Sequence, residues 1–135
     1  MTRQRDLRSI CNDFARYECI VVLSFQGGSA VGCSNLITYS DEAWVSIASF
    51  WEIAIKNSIG KLELKCSVSE MAEMCGSENI EILAIRPRHL DVIKSLPDIH
   101  KDPFDRLIVA QAISEKMSIV TRDTIIPKYP VNVIW

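Results

Sequence analysis

The amino-acid sequence predicts an α/β fold with a central, mostly parallel sheet flanked by helices. Three observations lead there. Short apolar runs rich in β-branched residues recur at 19–25, 44–48, 80–85, 118–121 and 131–135. Helical patterns stand between the later runs, and strands that alternate with helices form sheets of parallel strands covered by helices, with right-handed crossovers. The chain has 135 residues, 48% of them hydrophobic, which suits one domain (1–135) able to bury a working core.

The elements follow in order. Residues 3–17 place Leu7, Ile10, Phe14 and Tyr17 at three- and four-residue intervals, the spacing of a short amphipathic helix. The run 19–25 then stops at Gln26-Gly27-Gly28, as a buried strand ending in a turn does, and 26–42 is weakly periodic. Residues 44–48 alternate like a strand, and Ser49 opens a helical pattern that continues through Phe50, Ile53 and Ile55 to Gly60. A second helix is expected over 67–75, ended by Gly76, then a strand over 80–85 and a helix over 87–96 stopped by Pro97. Asp102 and Pro103 set an N-cap and first turn for a helix running to about Lys116. Short strands at 118–121 and 131–135 complete the chain.

Composition narrows the function classes. A net charge of -2 and a pI near 5.7 argue against a broad basic face that tracks duplex nucleic acid through many phosphate contacts. Five cysteines with no C-x-x-C pair suit neither a disulfide framework nor a zinc site, and reduced thiols are expected. No apolar run approaches the roughly 20 residues that span a bilayer, and charges at Arg3, Arg5, Asp6 and Arg8 do not lead into a signal-peptide core. A cytoplasmic location is expected.

In open α/β sheets, ligand sites form beyond the carboxyl ends of the strands, and three acids are predicted at that edge. Glu52 sits in the first turn of the helix leaving the strand at 44–48, and Asp123 follows the strand at 118–121. Asp105 begins a helix of about 14 residues, roughly 21 Å at ~1.5 Å per residue, which returns into the strand before Asp123. Helix start and strand end therefore share an edge. Each acid also admits a local reading: Glu52 in a capping box with Ser49, Asp105 at the positive end of its helix dipole beside the cap Asp102, and Asp123 in a turn. Three converging carboxylates repel unless a cation or shared protons offset them, and an all-oxygen set favours Mg²⁺ or Mn²⁺ over zinc.

Four ordered motifs, VSIASFWEIAIK at 45–56, GKLEL at 60–64, HKDPFDRL at 100–107 and TRD at 121–123, make the sequence resemble the PIN-domain ribonucleases, and among them the VapC-like toxins of type II toxin–antitoxin pairs. The resemblance covers about residues 43–135, with 1–42 atypical. It implies a PIN-like three-layer fold and a Mg²⁺- or Mn²⁺-dependent endoribonuclease acting on an RNA substrate. It further implies a homodimer restrained by a small antitoxin protein. By that resemblance Glu52, Asp105 and Asp123 are the catalytic and metal-binding acids, and Asp102 is an accessory acid. Arg106, Arg122 and Lys56 flank them and could contact an RNA backbone, although Glu52 and Lys56 also form an i,i+4 pair.

One departure bears on activity. The family carries a further aspartate at the end of its first strand, whereas here the run 19–25 ends in Ser24-Phe25-Gln26. Asp13 stands at about the right separation from Glu52 but falls within the expected helix. A rearranged N-terminal segment, a degenerate enzyme and an altered reading of the N-terminus all account for the gap. The alternative function is therefore a non-catalytic PIN-like module that binds RNA or protein. A receiver-type phosphoacceptor domain needs a different order of acids. His89 and His100 have no partner at ligand-like helical spacing and are expected in surface or capping roles. Phe50, Trp51, Phe104 and Trp135 are expected to pack the core or a dimer contact.

Overall fold

A computed structural model describes residues 21–24, 42–77, 80–121 and 123–134. The expected helix over 3–17, the turn at 26–28, Asp13, Arg122 and Trp135 lie outside the described residues.

Five strands, β1 (Val21–Ser24), β2 (Glu42–Ser46), β3 (Ile80–Leu83), β4 (Ser118–Val120) and β5 (Val133–Ile134), form one sheet in the order β3-β2-β1-β4-β5. The β2–β3 and β4–β5 pairs are parallel, and β1 runs antiparallel to both β2 and β4. Four strands therefore share one direction, as a mostly parallel sheet requires, while the strand at the centre opposes them. Val21 pairs with both Val45 and Val120, and Ser24 pairs with Glu42. The end of β1 at Ser24 thus lies at the edge opposite to the carboxyl ends of β2 and β4.

Side chains alternate across this sheet and create two cores, because successive residues of a strand point to opposite faces. Val45 and Val120 join Phe50, Ile53, Met71, Cys75 and Ile80 on one face. Trp44 and Ile119 pack on the other with Ala48, Leu107, Ile108, Ala112, Ile126 and Tyr129. Helices α1 (Ile47–Ser58) and α2 (Val68–Ser77) supply the first core, while α4 (Pro103–Glu115) supplies the second and carries α3 (Pro87–Ser95) against it. Cys66 and Cys75 are free thiols. Among the described residues, no helix is long and apolar enough to cross a membrane.

Local chemistry sets the helix ends. Asp102 caps α4 by accepting from the Phe104 and Asp105 amides, and Pro103 occupies the first turn, where a missing N–H costs nothing. Leu96 is extended ahead of Pro97 and ends α3, as expected. Helix α1 begins earlier than the sequence pattern suggests. Its N-cap is Ser46, whose Oγ accepts from the Ala48 amide, so Ser49 is an internal and buried helical residue. Glu52 consequently stands beyond the first turn, and the Ser49–Glu52 capping box does not form. Gly76 likewise lies inside α2 rather than ending it.

Ser46 has a second task. Its Oγ donates to Gln111 Oε1, and Gln111 Nε2 donates to the Ala84 carbonyl at 3.3 Å, with Ser46 and Gln111 both 0% exposed. This buried relay ties the start of α1 to α4 and to the chain leaving β3. Replacing Gln111 with leucine leaves the Ser46 donor and the Ala84 carbonyl without these partners. Q111L is expected to lower unfolding free energy by about 1–3 kcal/mol, read as a lower urea midpoint at unchanged m-value.

Candidate metal centre

The chain between Leu96 and Pro103 brings the site together. The buried Tyr129 hydroxyl accepts from the His100 backbone N–H at 2.7 Å and from Arg106 Nη1 at 3.3 Å. Arg106 Nη1 also donates to the Pro97 carbonyl at 2.9 Å. Arg106 therefore helps to hold this segment, with its side chain 19% exposed. Lys56 pairs with Glu52 at 3.1 Å, the i,i+4 alternative.

Asp105 and Asp123 meet, as the edge argument requires. His100 Nε2 lies 3.0 Å from Asp105 Oδ2 and 3.1 Å from Asp123 Oδ2, and one ligand atom from each of these three residues falls within 4.8 Å of the others. Glu52 is not part of that tight group, yet its charge reaches Asp105 and raises its pKa. Asp102 remains the helix cap and adds a further negative charge beside Asp105.

The two aspartates are electrostatically opposite. Burial, then the charge of Asp102, pushes the Asp105 carboxyl up to about 7; Glu52 and Asp123 push the same way, and His100 opposes them. Burial would also raise Asp123. There the hydrogen bonds from His100 and from the Ile125 and Ile126 amides outweigh it and hold the carboxyl below its ordinary range. Those amides, 2.7 and 3.0 Å from Oδ1, belong to the entry of a 3-10 turn over Ile126–Lys128. The local reading of Asp123 as a turn residue is thus correct alongside its place at the site.

This arrangement fits a hard divalent cation. Two carboxyl groups converge beside His100, a third acid stands within electrostatic reach, and the ionisation of Asp105 is disfavoured in a way that a cation would relieve.

Both histidines are more buried than a surface role implies, and the place of His100 beside the acids was not foreseen. His89 is 0% exposed and His100 is 8% exposed. His89 Nδ1 accepts from the Arg86 amide at 3.0 Å in a capping box, and its Nε2 meets Glu115 at 2.8 Å, so the capping expectation holds while the surface one does not. The available signal for His100 was its position two residues ahead of an N-cap aspartate. Of the aromatic residues, Phe50 is core, and Trp51 is 55% exposed with its ring edge-on to Phe104 at 5.1 Å.

The sequence matches the PIN domain family over residues 31–132, extending upstream of the motifs that begin at Val45. No curated protein matches significantly, and neither does any solved structure.

The raised Asp105 carboxyl has a signed consequence. Between its ordinary 3.8 and about 7 the folded protein holds this proton and the unfolded chain does not, so the contribution of Asp105 to stability falls as pH rises through that window. Asp105→Asn removes the effect. In metal-free buffer, D105N is expected to gain stability over wild type as pH rises from 5 to about 8, read from paired thermal melts.

Proposed function

The chain belongs to the PIN domain family, whose members are generally metal-dependent nucleases, and on that premise we propose that it is a Mg²⁺- or Mn²⁺-dependent endoribonuclease. The observation that carries this reading is the convergence of Asp105 and Asp123 at the sheet edge beside a third acid, Glu52. These three are the proposed metal-binding and catalytic acids. Asp105 offers its carboxyl group from the first turn of α4, Asp123 offers Oδ2 while the turn amides hold Oδ1, and Glu52 on α1, paired with Lys56, lies within electrostatic reach of Asp105.

A divalent cation bound by these oxygens would offset phosphate charge and make a bound water more acidic. In the net reaction, the water oxygen bonds to phosphorus, the bond to the leaving oxygen breaks, and a proton ends on that oxygen. The proton that Asp105 retains up to about pH 7 must leave before its carboxylate can bind a cation. Cation binding therefore strengthens as pH rises through neutrality.

The four sequence motifs support the finer reading of a VapC-like toxin, cytoplasmic, homodimeric and restrained by a small antitoxin. One observation favours the second reading, a non-catalytic module that binds RNA or protein. The antiparallel course of β1 carries Ser24 to the far edge, so the carboxyl end of that strand contributes no group to the acids.

Incubating the full chain with labelled single-stranded and structured RNAs tests both readings. Cleavage is expected with Mn²⁺, is abolished by EDTA, and falls at least about 100-fold in D105N, the scale of losing a group that acts on charge developing in the transition state. Cleavage surviving EDTA or D105N overturns the site, and RNA binding without cleavage favours the module.

A further inference from the structure

His100 is held at three points. Its backbone N–H donates to Tyr129, its Nδ1 accepts from the Asp102 amide at 3.1 Å, and its Nε2 faces Asp105 and Asp123. The middle contact decides the chemistry of the ring. A backbone amide can only donate, so Nδ1 presents its lone pair there, and the proton of the neutral ring resides on Nε2. Nε2 then has no lone pair to give a metal, and the lone pair on Nδ1 is turned away from the acids.

We propose that His100 is a positioning residue rather than a metal ligand: its Nε2–H, fixed in place by the Asp102 amide, donates to Asp123 Oδ2 while standing 3.0 Å from Asp105 Oδ2, and so sets the two carboxyl groups together for the cation.

The carboxylate oxygens leave room for this. Each has two lone-pair sites, so Oδ2 can accept from Nε2–H and still face a metal. Asp123 Oδ1 already accepts from the Ile125 and Ile126 amides, which leaves Oδ2 as the atom to be aimed. Without His100, Asp123 Oδ2 loses this donor, and once Asp105 ionises the two carboxylates repel each other. Asp102 therefore has two jobs, since its side chain caps α4 while its own amide selects the tautomer of His100. The ligand set remains all oxygen, which keeps the site suited to Mg²⁺ or Mn²⁺.

The inference rests on the proposed metal site, but its test does not depend on RNA cleavage. In the full chain labelled with ¹⁵N, long-range proton–nitrogen correlation is expected to show a protonated Nε2 and an unprotonated Nδ1 at His100. That pattern persists at saturating Mg²⁺. His100→Gln, whose amide can place an N–H near Nε2, keeps most of the Mn²⁺ affinity measured calorimetrically. His100→Ala loses about 10- to 100-fold, the usual effect of removing a group that orients metal ligands.

A His100 ring protonated on Nδ1 in the metal-free protein overturns the proposal, as does loss of the Nε2 proton on adding Mg²⁺. H100A binding Mn²⁺ as tightly as wild type overturns it too. Should H100A fail to fold, the tautomer of the wild-type ring and the affinity of H100Q still decide. Expected results here with no RNA cleavage would sink the nuclease reading alone. An Nε2 without its proton would sink the clamp alone.

Discussion

Carboxylates brought to one edge of a sheet repel one another, and the structure around this site is organised by the need to hold them there. Burial worsens the problem, because it strips Asp105 of solvent while Asp102, Glu52 and Asp123 all lie within electrostatic reach. The answer is a set of N–H donors aimed at the acids from fixed backbone. The amides of Phe104 and Asp105 hold Asp102, those of Ile125 and Ile126 hold Asp123, and Tyr129 fixes the segment from which His100 reaches both aspartates. The buried relay from Ser46 through Gln111 to Ala84 keeps the helix bearing Glu52 in register with the helix bearing Asp105.

Much of this was legible in the sequence, for identifiable reasons. Asp102-Pro103 is a strong local signal, since a capping carboxylate and a fixed φ act within one turn, and α4 starts where they place it. The meeting of Asp105 with Asp123 followed from helix length and chain return, which tolerate errors of a residue at either end. The start of α1 was harder. Ser46 and Ser49 are both able caps, and only the tertiary bond from Ser46 to Gln111, 65 positions away, distinguishes them. His100 was harder to read because, beside its local contacts with Asp102 and Asp105, its partners Asp123 and Tyr129 stand 23 and 29 positions away, and a lone histidine carries no periodicity.

Strand direction was the other blind spot. Apolar alternation shows which face a residue takes and is the same read in either sense, so 19–25 looks like a strand of unspecified direction. Its described part, β1, sits at the centre of the sheet and opposes its neighbours. Residues 1–42, atypical in the sequence resemblance, thus also hold the one described strand that opposes the others. The family match itself includes residues upstream of β2, so the relationship is broader than the four motifs that first suggested it.

His89 shows what the same wiring does without chemistry. Its Nδ1 accepts from a backbone amide and its Nε2 meets a carboxylate, as in His100, but the acid is Glu115, already tied to Arg88, and the result is a brace between α3 and α4.

Asp123 and Asp105 consequently differ as witnesses. Asp123 would be worth keeping in a chain that did nothing but fold, because its Oδ1 builds the turn before β5. Asp105 is the opposite, an acid whose charge works against the metal-free fold. Asp105 does stand in the first turn of α4, but burial and the neighbouring acids disfavour its ionised form there. Of the two, Asp105 speaks more clearly for a ligand.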